Sequence, residues 1–325
     1  MKLFRQLTDA HATPRAIAIG NFDGLHVGHA AVIDAMCRAA QSHDLIPSVL
    51  TFEPHPRLFF APSTPVFRLE TLATKLRRLR DAGVAQVVMP HFDASFANLT
   101  AEAFLNDILR NTLRVRAVAV GDNFAFGKNR GGDVTMLKQW GATEGVDITV
   151  VPPVMVAGAA CSSTAIREKI AAGDMAGAAT LLGRNYMLGG RVMHGDGRGR
   201  TIGFPTANVS LPQNVKLPAY GVYAVRATVH GTTHDAVANF GVRPTIEHTS
   251  RASLEVHVFD FDQSIYGARM EVQFIAKVRD EKKFDSLAAL TNQIEEDCIS
   301  AKSLLSGGLT PTPPPLCGSP WKATQ

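Results

Sequence analysis

The chain has 325 residues, which is too long for one ordinary hydrophobic core and fits two domains of the usual size. Hydrophobic residues make up 46% and charged residues 19% of the sequence, so the chain is able to bury a core and is neither disordered, collagen-like nor a coiled coil. Its formal net charge of +4 is too small for an electrostatic surface that binds nucleic acid. Composition therefore predicts a soluble protein of two domains without a nucleic-acid partner.

Four cysteines lie far apart in the sequence, at Cys37, Cys161, Cys298 and Cys317. They form no C-x-x-C pair, so neither a zinc knuckle nor a secreted disulfide framework is indicated. The first 15 residues lack the apolar segment and the small-residue cleavage site of a signal peptide. The apolar run at 150–161 is interrupted by Pro152 and Pro153 and is too short to span a bilayer. We therefore expect a cytoplasmic protein without a membrane partner.

Residues 16–154 alternate between apolar runs and segments with helical periodicity. The predicted strands are AIAIGNF, IPSVLTF, VAQVVMP, RAVAVGDNF and VDITVVPPV. The predicted helices between them include HAAVIDAMCRAA and TLATKLRRLRDAG. Continuous apolar strands separated by helices are typical of a parallel sheet covered on both faces. The first half therefore predicts a doubly wound α/β domain, closed by helices at 162–173 and 174–182.

Alternating strands and turns replace this pattern after Gly183. Residues 186–279 contain five runs with a two-residue period, separated by Gly, Pro and Asn turns. These runs are YMLGGRVMHG, GVYAVRATV, DAVANFGVR, SLEVHVFDFD and ARMEVQFIAKV. They predict a small antiparallel β-barrel.

A C-terminal helix packed on the barrel is predicted over 285–305. Its apolar positions are Leu287, Leu290, Ile294 and Ile299. Asp285 is the predicted N-cap, because a side-chain oxygen at that position accepts a bond from a free backbone N–H. The tail at 307–325, with PTPPP at its centre, is predicted to be disordered.

The sequence GNFDGLHVGH, residues 20–29, lies where the first predicted strand ends and the first predicted helix begins. A glycine-rich turn there lets backbone N–H groups approach an anion, and the helix N-terminus adds a dipole that favours phosphate. His26 and His29 are three residues apart, so they fall near one face of the helix and can donate to phosphate oxygens. The segment therefore predicts a phosphate-binding turn with two histidines.

Two other interpretations of these histidines are a zinc pair and a helix cap. A zinc site needs further ligands, and neither an H-E-x-x-H motif nor a nearby cysteine in the sequence supplies them. Gly127 and Lys128 suggest a Walker loop, but Asn129 stands where that loop has Ser or Thr and the glycine spacing differs. The phosphate turn is the interpretation that the sequence favours.

Four motifs follow one another in the first half. They are GNFDGLHVGH, TFEPHP at 51–56, GDNFAFG at 121–127 and SSTAIR at 162–167. In this order they resemble the prokaryotic bifunctional riboflavin kinase/FAD synthetases, whose FAD synthetase is an FMN adenylyltransferase of the nucleotidyltransferase superfamily. The resemblance implies that residues 1–183 form an α/β doubly wound nucleotidyltransferase-like domain.

The resemblance also implies roles for individual residues of this domain. It implies that His26 and His29 are catalytic and contact the ATP phosphates. The residues implied to bind ATP or its phosphates are Gly20, Asn21, Phe22, Asp23, Gly24, Gly28, Ser163, Thr164 and Arg167. The implied flavin contacts are Asn123, Pro54 and Pro56. Without the resemblance, SSTAIR also fits a helix cap with an exposed arginine, and the two prolines also fit an ordinary rigid turn.

The second half carries HGDGRGRTIGFPTANV at 194–209. Thr206 and Asn208 flank one residue of an extended stretch, so their side chains project to the same side. A hydroxyl and an amide oxygen in this arrangement can hold Mg²⁺ between ATP phosphates. Together with YGVYAV, NFGVRPT and LEVHVFDF, this block resembles the riboflavin kinase module and implies a kinase domain at 184–306.

In this module the resemblance implies ATP or phosphate contacts from Gly195, Gly199, Arg200, Gly203 and Pro205. It assigns the general base to Glu255, and phosphoryl transfer to an alcohol needs such a carboxylate to orient and deprotonate the hydroxyl. Without the resemblance, Glu255 also fits a surface residue on the polar face of a barrel strand.

The motifs together predict a bifunctional enzyme with riboflavin, FMN and ATP as small-molecule substrates. The resemblance implies that the barrel phosphorylates riboflavin with MgATP to give FMN and ADP, and that the N-terminal domain joins FMN to the AMP part of a second ATP and releases pyrophosphate. One alternative is a nucleotidyltransferase that acts on another phosphate ester and has an accessory barrel. The other is a nucleotide sensor or RNA-binding protein descended from an inactive enzyme, for which we would expect damaged motifs and a basic stripe with aromatic residues.

Overall fold

The computed structural model describes residues 1–10, 13–61, 63, 68–195, 198–243 and 251–307. In its described parts the chain divides into two compact units, Met1–Phe67 with Leu72–Ser162 and Arg68–Thr71 with Ser163–Pro313. The predicted disordered tail at 307–325 lies outside the described residues from position 308 onward. Within the described ranges, each helix is too short or too polar to traverse a bilayer.

A six-stranded parallel sheet forms the centre of the first unit. Its strands are β1 (Lys2–Phe4), β2 (Arg15–Ile19), β3 (Ile46–Leu50), β4 (Gln86–Val88), β5 (Val115–Gly121) and β6 (Asp147–Val151). They lie in the order β1-β4-β3-β2-β5-β6, and every neighbouring pair is parallel. A short antiparallel pair, β7 (Met155–Val156) and β8 (Ala159–Ala160), follows. The predicted doubly wound α/β fold is confirmed, whereas the sequence pattern does not predict the edge strand β1.

Helices connect these strands. The α-helices of the first unit are α1 (Val27–Ser42), α2 (Pro56–Phe60), α3 (Leu72–Asp81), α4 (Ala94–Ala97), α5 (Ala101–Ala103) and α6 (Val134–Glu144). A π-helix at Phe104–Thr112 continues α5, and 3₁₀ turns lie at Leu7–Ala10 and Lys128–Arg130. Asp133 begins α6, because its carboxylate accepts bonds from two backbone N–H groups of the first turn, each at 2.9 Å.

Side chains of the central strand β2 alternate between two hydrophobic cores. Ala16 and Ala18 belong to the core that contains the buried side of α1, and Ile17 and Ile19 belong to the core that contains the π-helix. The small alanine side chains let α1 pack closely on the sheet. Helix α1 starts near the carboxyl end of β2. The strand order reverses at this point, and α/β proteins commonly bind ligands there.

The second unit is a closed barrel of six strands with helices around it. The strands are β9 (Tyr186–Met193), β10 (Ala207–Val209), β11 (Gly221–Val229), β12 (Thr232–Arg243), β13 (Arg251–Val258) and β14 (Arg269–Arg279). Neighbours pair antiparallel in the order β10-β13-β12-β11-β14-β9, and the β9–β10 pair closes the ring. The helices are α7 (Ser163–Ala172), α8 (Met175–Leu182), α9 (Arg198–Thr201) and α10 (Leu287–Ser306). The predicted antiparallel barrel with a C-terminal helix is confirmed.

Helices α7 and α8 pack on the barrel. The Ala219 N–H donates to the Ile170 carbonyl near the end of α7, at 3.2 Å. Gly173, with φ of +78°, joins the two helices, and a Cβ at this position would lie 2.9 Å from Cδ of Lys277 on β14. These contacts place both helices in the second unit, although they precede the predicted domain boundary. The boundary between residues 183 and 184 stays a prediction.

The C-terminal helix differs from its prediction in two details. Its N-cap is Ser286, whose hydroxyl accepts a bond from the Ala289 N–H at 3.1 Å, so the prediction of Asp285 as N-cap was wrong. Leu287 and Ile299 are 64% and 70% exposed, so they do not belong to the packed face. The buried positions of α10 are instead Asp297, Ala301 and Leu305, which recur every fourth residue on one side of the helix.

Asp297 is charged and yet lies on the packed face of α10. Its carboxylate accepts two bonds from Arg279 of β14, at 2.8 Å from Nε and 2.7 Å from Nη2. This bidentate pair satisfies both carboxylate oxygens of a side chain that is only 5% exposed. Together with the apolar contacts of Ala301 and Leu305, it attaches α10 to the barrel. The pattern of apolar residues could not predict this anchor, because Asp297 is a polar residue and such a pattern assigns it to the exposed face.

We expect Asp297→Ala to destabilise the second unit by about 3 kcal/mol, because Arg279 would lose its buried partner. Urea unfolding gives this free energy. Glu296→Ala changes an exposed neighbour on the same helix and should alter stability by less than about 0.5 kcal/mol. Equal unfolding free energies for the two variants would contradict the assignment of Asp297 as an anchor.

Candidate functional site

The turn between β2 and α1 holds the predicted phosphate residues 20–24. Its first N–H, that of Gly20, donates to the Leu50 carbonyl at 3.1 Å, so the turn begins while still paired with the end of β3. Phe22 and Leu25 have φ of +48° and +34°, a left-handed backbone that residues with a Cβ adopt at a cost. Strain of this kind persists where the surrounding structure maintains it, as in ligand-binding turns.

Phe22 supports this turn from inside the first unit. Its side chain is buried, and a Cβ on Gly20 would lie 3.3 Å from its ring. The same ring meets His29 edge to face, with centroids 5.3 Å apart. Asp23 is also buried. The predicted phosphate residues therefore include two side chains that shape the turn from within.

His26 and His29 stack on each other at the start of α1. Their ring centroids lie 3.6 Å apart and their planes differ by 18°. His26 is the N-cap, and its Nδ1 accepts a bond from the His29 N–H at 3.3 Å. With Nδ1 accepting, the proton of a neutral His26 ring lies on Nε2, which is then the donor atom of that ring. The structure thus brings both imidazoles together at the positive end of the α1 dipole.

Cys161 lies beside this histidine pair, which the sequence did not predict. Its Sγ is 3.5 Å from Nδ1 of His26, and the thiol also meets the backbone N–H groups of Gly28 and Val27. Burial raises the pKa of the Cys161 thiol, and these two N–H groups oppose the shift. A thiol therefore faces the N-terminus of α1. It lies 135 residues away from His26 in the chain, so no local motif predicts the contact.

The predicted flavin residues lie beyond the carboxyl ends of β3 and β5, the two neighbours of β2. Pro54 follows β3 after a cis peptide bond, and Pro56 is the first residue of α2. Asn123 is exposed and follows β5 by two positions. Because β3 and β5 flank β2 in parallel, these residues share one edge of the sheet with the phosphate turn.

Aromatic rings that the sequence analysis did not single out lie at the same edge. They are Phe52, Phe59, Phe60, Phe92 and Phe96, with neighbouring centroids 5.2 to 5.8 Å apart. Phe60 is 68% exposed and Phe59 is 37% exposed. Exposed aromatic rings that pack on more buried rings can stack with a planar aromatic ligand. The sequence signal was the phenylalanine pair at 59–60, three residues after the end of TFEPHP at position 56.

Ser163, Thr164 and Arg167 lie on α7, which belongs to the second unit. The structure therefore does not bring them together with His26 and His29 inside one unit. Packing of α7 on the barrel is the reason, as the Ile170 carbonyl and Gly173 show.

The predicted residues of the barrel come together on β10 and β13. Asn208 and Glu255 are direct cross-strand partners, and Glu255 is also paired with Asn239 of β12. Residues opposite each other on neighbouring strands share a face of the sheet, and buried Leu254 and Val256 mark the inner face. Asn208, Glu255 and Asn239 therefore form a polar row on the outer face of the barrel.

Glycines surround the two predicted metal ligands. A Cβ on Gly195 would lie 2.2 Å from Nδ2 of Asn208, and a Cβ on Gly199 would lie 2.3 Å from the Phe204 carbonyl oxygen and 3.4 Å from Oγ1 of Thr206. Both positions therefore need a residue without a side chain. The loop between β9 and β10 accordingly reaches both Thr206 and Asn208.

Pro205 and Gly203 lie in the last part of this loop. Nδ1 of His257 donates to the Pro205 carbonyl at 2.8 Å, because a carbonyl oxygen only accepts. Gly203 has φ of +87°, a left-handed backbone that favours glycine. Arg200 lies in α9, and its side chain is outside the described part of the structure.

Two family models match the chain, FAD synthetase over residues 8–165 and riboflavin kinase over residues 182–305. Proteins described as bifunctional riboflavin kinase/FMN adenylyltransferase match over most of its length. The one from Escherichia coli (strain K12) is 41% identical over 314 residues, which cover 95% of this chain and 99% of that protein. The one from Bacillus subtilis (strain 168) is 36% identical over 285 residues, which cover 86% and 89% of the two chains.

A crystal structure described as a macrolide-efflux protein from Streptococcus pneumoniae is also similar. It matches with a TM-score of 0.85 and 31% identity, over 92% of this chain and 98% of that chain. The likeness supports an architecture of an α/β unit followed by a barrel.

We expect Cys161 to react slowly with iodoacetamide near neutral pH, because burial raises its thiol pKa and the thiolate is the reactive form. Peptide-resolved labelling between about pH 7 and 10 should give a midpoint above 9.0, and unfolding in urea should remove the shift. Cys37, whose pKa burial raises to about 11, should react more slowly still. Faster labelling of Cys161 in the folded than in the unfolded chain at pH 7 would contradict the expectation.

Proposed function

The chain belongs to the family of bifunctional riboflavin kinases/FMN adenylyltransferases, and we propose that its barrel and its parallel-sheet unit carry the two activities separately. The enzyme phosphorylates riboflavin to FMN and adenylylates FMN to FAD, with ATP as the donor in both reactions. The match to both modules argues against an accessory barrel and against an inactive descendant. The observation that carries the assignment is the pairing of Asn208 with Glu255 in one unit and of His26 with His29 in the other.

Thr206 and Asn208 are the residues that would hold Mg²⁺ in the barrel. A hydroxyl and an amide oxygen are hard oxygen donors, the kind of ligand that Mg²⁺ prefers. A Cβ on residue 195 would lie 2.2 Å from Nδ2 of Asn208, so glycine at this position lets the loop backbone lie directly beside the amide. These donors therefore fit the metal. When bound, the ion neutralises charge on the transferred phosphoryl group.

Glu255 is the carboxylate that would act in the kinase reaction. It is half-buried and lies directly across from Asn208, so its carboxylate belongs to the same face of the barrel as the predicted metal ligand. The ribityl oxygen of riboflavin forms a bond to the γ-phosphorus while the bond to ADP breaks, and the hydroxyl proton passes to Glu255. Glu255 therefore orients the nucleophile and takes up its proton.

His26 and His29 would stabilise the leaving group in adenylyl transfer. An oxygen of the FMN phosphate forms a bond to the α-phosphorus of ATP while the bond to pyrophosphate breaks. Negative charge then grows near the positive end of α1, where Nε2 of His26 and the neighbouring His29 donate. FMN is itself the nucleophile, so this reaction needs no covalent enzyme intermediate.

The exposed rings of Phe59 and Phe60 would bind the isoalloxazine ring of FMN. They lie on the segment that follows Pro54 and Pro56, at the same edge of the sheet as Asn123. Stacking on aromatic faces buries the flavin and leaves its phosphate free to reach the turn at 20–24. We therefore add the two phenylalanines to the predicted flavin contacts.

The remaining assignments stay predictions from the sequence. They are the phosphate contacts of residues 20–24, of Gly28, Ser163, Thr164 and Arg167, and of Gly195, Gly199, Arg200, Gly203 and Pro205, together with the cytoplasmic location and the lack of a nucleic-acid partner. Incubation of the purified protein with riboflavin and MgATP, with chromatographic separation of FMN and FAD, tests the proposed function as a whole. Formation of neither product would overturn it.

We expect Glu255→Gln to lower the rate of FMN formation by at least about 10²-fold, because an amide cannot take up the hydroxyl proton. Adenylylation of added FMN should change by less than about twofold, since the other unit performs it. Glu271→Gln on β14 is the matched control, a half-buried glutamate of the same barrel, and should leave both rates unchanged. Loss of both activities in a folded Glu255→Gln protein would refute separate sites.

His29→Ala should slow FAD formation by about 10²- to 10³-fold, as removal of one transition-state donor does in other enzymes. ATP affinity, measured by calorimetry, should fall much less, because the lost donor acts mainly on charge that develops during the reaction. Riboflavin phosphorylation by the other unit is the internal control. His43→Ala, at the opposite end of α1, is the control for the helix. Unchanged FAD synthesis in His29→Ala would remove this histidine from the mechanism.

A further inference from the structure

Lys75 of α3 is a buried cation that no motif singles out. Its side chain lies inside the first unit, with the residue 8% exposed. Nζ donates to the carbonyl of Asn21 at 2.6 Å and to Oγ1 of Thr51 at 2.8 Å. Thr51 is fully buried, and its hydroxyl in turn donates to the same Asn21 carbonyl at 3.2 Å. Three groups from three segments therefore share one small network.

The two partners of Lys75 lie near the start of the two segments that would hold the substrates of adenylyl transfer. Asn21 belongs to the phosphate turn after β2. Thr51 is the first residue after β3, and the chain continues from it to Pro54 and to the exposed phenylalanines. A single ammonium group thus joins the predicted ATP segment to the predicted flavin segment.

Stability alone does not account for an ammonium group at this position. Removing a charged amine from water is costly, and an apolar side chain of similar length would fill the same space more cheaply. Without the ammonium, the Asn21 carbonyl would keep the longer bond from Thr51, so it would still have a donor although it would be held less firmly. The Lys75 ammonium therefore contributes more to the position of the Asn21 carbonyl than to the stability of the fold.

We propose that Lys75 is a positioning residue for FMN adenylylation, which holds the phosphate turn at a fixed distance from the flavin segment. This inference rests on the proposed function. The carbonyl of a trans peptide and the following N–H point in opposite directions, so a carbonyl of Asn21 held toward Lys75 directs the N–H of Phe22 away from it. Release of the carbonyl would let this N–H turn, and a misplacement of about 1 Å costs about 10²-fold in rate.

The decisive variants remove one polar group at a time. Lys75→Met keeps the length and the burial of the side chain and removes the charge. Lys138→Met removes an exposed lysine of α6 in the same unit and is its matched control. Thr51→Val removes the hydroxyl at nearly constant volume, and Thr51→Ser retains it.

We expect Lys75→Met to lower kcat for FAD formation by about 10- to 100-fold, with KM for ATP and FMN changed by less than about threefold. The thermal midpoint of the first unit should stay within a few degrees of the wild type, and riboflavin phosphorylation should be unchanged. Thr51→Val should lower kcat, while Thr51→Ser should restore it. The combined loss in the double variant Lys75→Met/Thr51→Val should differ from the product of the single losses, because both changes act on one carbonyl.

Three results would overturn the proposal. A folded Lys75→Met protein with the kcat of Lys138→Met would show that the ammonium is dispensable. A kcat loss that disappears when rates are corrected for the folded fraction would assign Lys75 a structural role. Equal kcat values for Thr51→Val and Thr51→Ser would show that the hydroxyl in this network does not affect catalysis. If Lys75→Met does not fold, this pair of variants tests the proposal in its place. Wild-type protein that forms FMN but no FAD would instead overturn the proposed function, and this inference with it.

Discussion

A helix N-terminus placed beside the carboxyl end of a buried central strand is the constraint on which the first unit depends. The small alanines of β2 let α1 pack closely on the sheet. In the turn between β2 and α1, Phe22 and Leu25 have a left-handed backbone. Bonds from this turn to Leu50 and from Lys75 to Asn21 offset that strain. The helix dipole and the two imidazoles therefore lie beside one short segment, where a phosphate would find several donor groups already oriented.

Strand register is the corresponding constraint in the barrel. Leu254 and Val256 point into the core, so the residue between them faces outward. A shift of one residue would bury the carboxylate of Glu255 and separate it from Asn208. The glycine at 195 then lets the preceding loop lie against the amide of that asparagine. The polar groups of this unit are therefore positioned by the pairing of β10 with β13 and by the close contact between the backbone at Gly195 and Asn208, and not by burial of a charge.

Much of this architecture could be predicted because it follows from local patterns. Apolar runs separated by helical segments correspond to β2–β6, and the two-residue alternation after Gly183 corresponds to the barrel. The motif at 20–29 predicted the turn and the two neighbouring histidines, since three-residue spacing on a helix brings side chains together. The failures were local as well. Ser286 caps α10 in place of Asp285, because adjacent cap candidates differ only in which side chain reaches the first free N–H.

The sequence by itself therefore determined the order of the elements, the family and the residues that neighbour each other within one motif. Only the tertiary structure decided that Cys161 faces His26, that Lys75 joins Asn21 to Thr51, and that the helix starting at Ser163 belongs with the barrel. These contacts link segments far apart in the chain, and their partners are chosen by how helices and strands pack. Periodicity records which face of an element is apolar, whereas the identity of the segment that covers that face depends on the complete fold.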